Sequence, residues 1–297
     1  MKKVLAVYFT QSGQLREILE RITAPLQAVA EVTFCEIKMQ KPFPFPWTEE
    51  AFFDAFPEAF LQIPSEIEPI PQSVLEQDFD LIILGYQVWY LSPSIPTTSF
   101  LKSPYGGKLL GGKPVITVSG SRNMWVMAQE KMKNLLKNCH ADLVGNIALV
   151  DRHPNHVSVI TIVRWMFSGR KEKQGWLPKP GVSDKDIYEA SKFGETIASA
   201  LQTSDYQNLQ PQLVEQKAVV IKPFLVSADK KGNRIFAFWS AFIVKKKESR
   251  RRWLKVFYVY LWAAIWIIAP IVYILHLLLY PFNILKFKKQ QRYYSNI

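Results

Sequence analysis

The chain has 297 residues, of which 48% are apolar and 13% aromatic, enough to bury a full α/β domain with residues to spare. Its formal charge of +12 is concentrated at one end: residues 245–297 hold eleven Lys and Arg against the single acid Glu248. A basic end wrapped around an apolar run points to anionic lipid and away from nucleic acid. Cys35 falls in a predicted strand and Cys139 at a predicted helix end, which suits small buried hydrophobes better than a disulfide or metal ligands. His140, His153, His156 and His276 form no ligand cluster with carboxylates or thiols, so a metal site lacks support. A first strand that opens almost at once fits no secretory signal.

Residues 4–9 are an apolar run suited to a strand buried on both faces. Thr10, Gln11, Ser12, Gly13 and Gln14 follow at once. A helix pattern then opens, with Leu15, Ile18, Leu19 and Ile22 on one stripe. Strand, hydroxyl-and-glycine turn and amphipathic helix together make an anion cradle, in which backbone N–H groups and the helix N-terminus converge and the Thr10 and Ser12 hydroxyls add donors. Gly13 lets the backbone come close where a side chain would block it. The turn fits neither the Rossmann G-x-G-x-x-G nor the P-loop G-x-x-x-x-G-K-[ST] pattern.

Residues 32–37 read as a second strand. Residues 42–71 carry seven prolines and the aromatics Phe43, Phe45, Trp47, Phe52, Phe53, Phe56 and Phe60. Proline forbids one long helix there, so one short helix near residues 48–56 is expected. The segment is read as a clamp over the sheet, with a greasy wall for a lipid-like substrate or a homodimer contact as the other readings. Residues 80–86 are the third strand, followed by Gln87, Val88, Trp89, Tyr90 and the stretch up to Pro96, then a short helix near 97–101. Residues 113–118 are the fourth strand, ending in Ser119-Gly120-Ser121-Arg122-Asn123-Met124-Trp125 before another helix. Residues 143–151 supply the fifth, with His153 and His156 just beyond. An apolar stretch at 157–167 is read as packing, with a substrate entrance as the alternative. Ser183 and Asp186 make a capping box for a last helix, closing the domain near residue 202.

A hairpin around residues 230–233 is expected in the accessory segment 203–252. Residues 253–286 are almost wholly apolar, with Pro270 at the middle. They are long enough for one membrane crossing and too short for two. Lys and Arg flank both ends, so a hairpin re-entering at Pro270 stays open beside a single span, as does a helix pair lying on a hydrophobic substrate store. The last segment, 287–297, is a basic tail.

The first turn resembles the phosphate-binding loop of flavodoxin-like proteins, [ST]-x-[ST]-G-x-[ST], which holds the 5′-phosphate of FMN; Leu15 stands where a third hydroxyl is usual. The loop after the third strand resembles the second FMN loop of flavodoxin-like quinone reductases. Three small-residue loops follow strands one, three and four, whose ends flank the switch point of a 2-1-3-4-5 sheet. The expected fold is therefore a flavodoxin-like, doubly wound, parallel five-stranded α/β sheet over residues 1–202, with a membrane-attached C-terminal helical segment.

The stretches QSGQL, YQVWYLSPSIPTTSFL, GSRNMWVMAQEKMK and LVDRHPN resemble the bacterial dialkylresorcinol condensing enzymes of dialkylresorcinol and flexirubin-type pigment biosynthesis. The resemblance implies a partner ketosynthase that makes a 2,5-dialkylcyclohexane-1,3-dione. Carbon–carbon condensation needs an activated cysteine with histidine or asparagine partners, and neither cysteine lies in such a loop. Turning the dione into a resorcinol removes two hydrogens, a task for a flavin, so an FMN-dependent aromatase is expected. A membrane-bound NAD(P)H:quinone reductase and a flavodoxin-type electron carrier stay open. By the resemblance, Thr10, Gln11, Ser12, Gly13, Gln14 and Leu15 would hold phosphate. Gln87, Val88, Trp89, Tyr90, Ser119, Gly120 and Arg122 would meet the ring or its edge. Arg122 would polarise a substrate carbonyl or stabilise reduced flavin, and Tyr90, His153 and His156 are the candidates for proton transfer. The expected location is the cytoplasmic face of the inner membrane.

Overall fold

The computed structural model describes residues 1–173 and 175–297. One sheet contains β1 (Lys2–Tyr8), β2 (Ala30–Glu36), β3 (Leu81–Trp89), a two-residue β4 (Ser92–Pro93), β5 (Pro114–Ser121) and β6 (Asp142–Val150). β4 pairs antiparallel with the end of β3, and the other five strands run parallel in the order β2-β1-β3-β5-β6. With β4 set aside this is the 2-1-3-4-5 order of a flavodoxin-like fold, whose switch point lies between β1 and β3.

The strands are continuous apolar runs because helices cover both faces. Alternate residues go to opposite sides. Val4, Ile83, Ile116 and Ile147 face the stripe Leu15, Ile18, Leu19 and Ile22. Leu5, Val7, Ile82, Leu84 and Val115 face Phe100, Leu109 and Met132. The helices in chain order are α1 (Gln14–Thr23), α2 (Glu49–Asp54), α3 (Phe56–Leu61), α4 (Gln72–Leu75), α5 (Ile95–Lys102), α6 (Pro104–Leu110), α7 (Val126–Asn138), α8 (Asn155–Ser168), α9 (Asp184–Tyr188), α10 (Ser191–Thr203), α11 (Leu209–Glu215), α12 (Pro223–Val244), α13 (Arg250–Ala263), α14 (Ala269–Leu279) and α15 (Ile284–Ser295).

Three stretches differ from expectation, each for a local reason. The proline-rich segment folds as two short helices where one was expected. Thr48 caps α2 by accepting the Ala51 N–H at 3.1 Å, and Pro57 sits in the first turn of α3, where its missing N–H costs nothing. The last domain helix is split into α9 and α10, although Ser183 does cap it, accepting the Asp186 N–H at 3.1 Å. The hairpin expected at 230–233 is not formed: α12 runs straight through it for 22 residues. Gly232 weakens that helix by about 1 kcal/mol relative to alanine, but it lets α12 approach Leu91, whose Cδ1 would lie 3.1 Å from a Cβ at 232.

Pro270 does not reverse the chain either. It lacks an N–H and would clash with the carbonyl four residues back; a π turn over Ala264–Ile268 joins α13 to α14, a wider turn of the kind that absorbs such defects. The reversal comes later, at Pro281–Asn283, and α15 returns to the domain.

Candidate functional site

At the C-terminal rim of the sheet, at the β1/β3 switch point, lies a cavity of about 460 Å³, within the range of small-molecule sites. Gln11, Ser12, Gln14 and Leu15 wall it after β1; Gln87, Val88, Trp89 and Tyr90 after β3; Gly120, Ser121 and Arg122 after β5. The structure thus brings together ten of the expected site residues. Thr10, Gly13, Ser119, His153 and His156 are outside that wall.

The first turn is built by its own side chains. The Gly13 N–H donates to Thr10 Oγ1 at 3.1 Å, and Gly13 caps α1 with a φ of 83°, a conformation other residues adopt only with strain. Gln14 is turned away from the turn: its Nε2 donates to the Val182 carbonyl and its Oε1 accepts the Val182 N–H, both at 3.0 Å. Gln11 bridges to the proline-rich segment, donating to the Pro44 carbonyl at 2.9 Å and accepting Trp47 Nε1–H at 3.0 Å. The two glutamines therefore position the turn by clamping it, which leaves the Ser12 hydroxyl and the backbone for a ligand.

The second loop is a two-residue hairpin. Trp89 pairs with Ser92, and the central residues Tyr90 and Leu91 have φ of 48° and 58°. A turn with two positive φ values normally carries Asn-Gly; two larger side chains there store about 1–3 kcal/mol each. Tertiary contacts hold it in place. The Tyr90 hydroxyl donates to the Phe52 carbonyl at 2.6 Å, and Lys131 Nζ donates to Ser92 Oγ at 2.6 Å and the Phe60 carbonyl at 2.9 Å. Burial raises the Tyr90 phenol well above its ordinary value, so it is neutral and its one proton is engaged with Phe52. Trp89 stands edge-on to Phe43 and Trp47, at 5.1 and 5.3 Å between ring centres.

Arg122 is the cation of the cavity. It donates to Asn155 Oδ1 at 2.8 Å, and among the described residues no carboxylate lies within salt-bridge distance of it. Burial pushes its guanidinium down to about 10, against the field of Asp151. Ser121, its neighbour in the wall, has a buried Oγ with no hydrogen-bond partner among the described residues. His153 sits beyond β6, its Nδ1 2.7 Å from Oδ1 of the buried Asp151, whose Oδ2 accepts the Ser158 hydroxyl. His156 stacks on Trp266 at 5.1 Å. Both cysteines are free and buried, and burial raises both thiols, so neither is poised as a nucleophile.

The sequence reads 157–167 as packing, with a substrate entrance as the alternative, and leaves a hydrophobic substrate store open for the C-terminal run; both stretches line the cavity. α8 contributes Val159, Ile162, Val163 and Met166, and the C-terminal apolar helix contributes Tyr258, Leu261, Trp262 and Ile265. Each set has i, i+3, i+4, i+7 spacing, one stripe of a helix. The stripes are legible in the chain; the surface they face is not. Glu49, in the first turn of α2, is the carboxylate of the wall, and no sequence signal points to it.

No family model matches the chain, and no curated protein sequence matches it. Among solved structures it is similar to a flavodoxin from the domain Archaea, with 14% identity over 67% of this chain and 99% of that one and a TM-score of 0.37. A flavoprotein in complex with FMN from Lactobacillus acidophilus NCFM has 18% identity over 50% and 93%, at 0.39. Flavodoxin 1 from Bacillus cereus has 16% identity over 65% and 95%, at 0.35. At these TM-scores the likenesses add nothing to the strand order, which shows the fold by itself.

Proposed function

We propose that the chain is an FMN-dependent oxidoreductase that aromatises a lipophilic cyclic dione, a 2,5-dialkylcyclohexane-1,3-dione, to a dialkylresorcinol. The observation that carries this reading is the cavity itself: three loops at the switch point enclose it, and it holds one unpaired cation and two unengaged hydroxyls within aromatic walls. The donor set fits FMN. The α1 N-terminus and Ser12 suit a phosphate, the orphan Ser121 hydroxyl and the Gly120 backbone suit a polar ring edge, and Trp89 offers a flat apolar partner.

When bound, FMN supplies the two-electron acceptor for removal of two hydrogens from the dione, with oxygen or a membrane quinone as the final sink. The chain's own groups do the rest. Arg122 stabilises the oxyanion that develops at a substrate carbonyl as a proton leaves the adjacent carbon. Asp151 fixes the ring of His153, which lies beyond the cavity wall and would take up that proton through a bridging water. The aromatic wall from Phe45 to Phe53 excludes water, and the stripes of α8 and α13 receive the alkyl chains. The apolar C-terminal helix attaches the protein to the membrane, with the domain in the cytoplasm, where the partner ketosynthase would deliver the dione.

The test is direct. The purified full-length protein should be yellow, titrate with one FMN per chain, and generate resorcinol absorbance from a synthetic dialkylcyclohexanedione. A colourless protein that ignores FMN would overturn the reading. NADPH oxidation with a quinone, without turnover of the dione, would replace it by a quinone reductase.

A further inference from the structure

Among the described residues one helix is long and apolar enough to cross a membrane, Arg250–Leu279, and the window that qualifies is not buried against the rest of the protein. No Asp, Glu, Lys or Arg occurs between Val256 and Leu285. On its outer side Ile267, Ile274, Leu278, Phe282 and Leu285 stand bare, Phe282 and Leu285 at 85% and 83% exposure. A contiguous face of this kind needs an apolar partner. Exposed Lys245, Lys246 and Lys247 precede it, and exposed Lys286, Lys288 and Lys289 follow it, the flanking pattern that anionic headgroups attract.

Both ends of this run are tied to the same domain. At the start, Arg250 grips Glu58 with two bonds of 2.8 and 2.6 Å and Asp54 at 2.7 Å, and Phe257 is stacked on Phe56 at 3.9 Å. At the far end, Tyr294 is buried against Trp125 and Val126. Gln210 Nε2 donates to the Ser295 carbonyl at 2.7 Å, and Tyr293 Oη donates to Glu130 at 3.0 Å. A crossing helix would carry residues 286–297 through about 30 Å of hydrocarbon and break every contact at the far end, those of Tyr293, Tyr294 and Ser295.

We propose that the protein is seated on one leaflet of an anionic phospholipid bilayer: the outer face of residues 264–285 lies in the acyl layer, and both flanks stay on the domain's side. The seating rests on the membrane attachment proposed above and adds its topology. It makes the apolar run a partition one helix thick, about 10 Å. Tyr258, Leu261, Trp262 and Ile265 line the cavity, while Val259 and Ile267 on the other side point outward.

The test uses the full chain expressed in bacterial cells, in sealed inverted inner-membrane vesicles, with a membrane-impermeant maleimide. The buried native thiols give little background, and single cysteines are placed by Gln202→Cys on the domain, Phe282→Cys on the bare face and Ile297→Cys at the C-terminus. Expected are flotation with the vesicles, labelling of the first and third without detergent, and labelling of Phe282→Cys only after detergent. Labelling of Ile297→Cys only after detergent, with Gln202→Cys open, means a crossing and overturns the seating while attachment stands. Labelling of Phe282→Cys without detergent overturns it as well. Absence of the chain from the floated fraction overturns attachment and seating together, and FMN titration of the same protein reports separately on the flavin reading. Carboxypeptidase provides a check on the unsubstituted chain: it should shorten the C-terminus in intact inverted vesicles, and full protection would again mean a crossing.

Discussion

Arg122 combines three features that rarely coincide: it lines a cavity, it is half-buried, and its one good partner, Asn155, is neutral. A cation left without a carboxylate there should serve substrate charge. Arg122→Gln is expected to lower dione turnover about 100-fold, the usual effect of losing one oxyanion donor, while FMN affinity changes only a few-fold in a titration. Because burial brings its pKa down to about 10, the group is charged below that pH, and the wild-type rate should lose this contribution as pH rises through 10. Asp229 on α12 makes a different demand. It is fully buried, accepts the Met127 N–H at 3.1 Å at the start of α7, and burial raises it to about 7. The folded state then holds a proton that the unfolded state releases near pH 4. Stability should fall as pH rises from about 4 to 7, by at most about 1.4 kcal/mol per pH unit. Denaturant unfolding across that window should show the slope in the wild type and not in Asp229→Asn.

Among the elements, the pair α12 and α13 decides the architecture at the rim. Both are held to α3 through Phe56, which is fully buried, stacked on Phe257 and edge-on to Phe236 at 5.2 Å. Phe56→Ala should cost about 3–5 kcal/mol in equilibrium unfolding, and limited proteolysis should then cut at residues 245–249, the exposed link between the two helices. The strained Tyr90–Leu91 turn belongs to the same joint, since Tyr90 packs on Phe56 at 5.1 Å and Gly232 makes room for Leu91. This joint also explains why residues 230–233 are helical and form no hairpin. Lys230-Lys231-Gly232-Asn233 has turn composition, yet packing against α3 and the 90–91 turn outweighs a local preference of about 1 kcal/mol.

For the molecule as a whole, charge is segregated. The domain is close to neutral, and the excess positive charge borders the bare apolar face. Binding of the full chain to vesicles containing phosphatidylglycerol should therefore exceed binding to phosphatidylcholine alone and weaken with added salt, since surface attraction is screened. Salt should not abolish it in a flotation assay, because the acyl contact of Leu278, Phe282 and Leu285 has no electrostatic part.

The chain by itself determined the sheet and its switch-point loops. Buried parallel strands are continuous apolar runs, and turns before helices carry small polar residues, so both are written locally. Of the candidate site, the turn at residues 10–15 and the loops bearing Trp89 and Arg122 were legible for the same reason. The tertiary structure alone decided that Gln11 and Gln14 serve as clamps, that α8 and α13 close the cavity, and that the apolar helix returns its tail to the domain. A periodic stripe gives the direction of a helix face without naming its partner, and contacts such as Tyr294 with Trp125, 169 positions apart in the sequence, exist only once the fold brings them together.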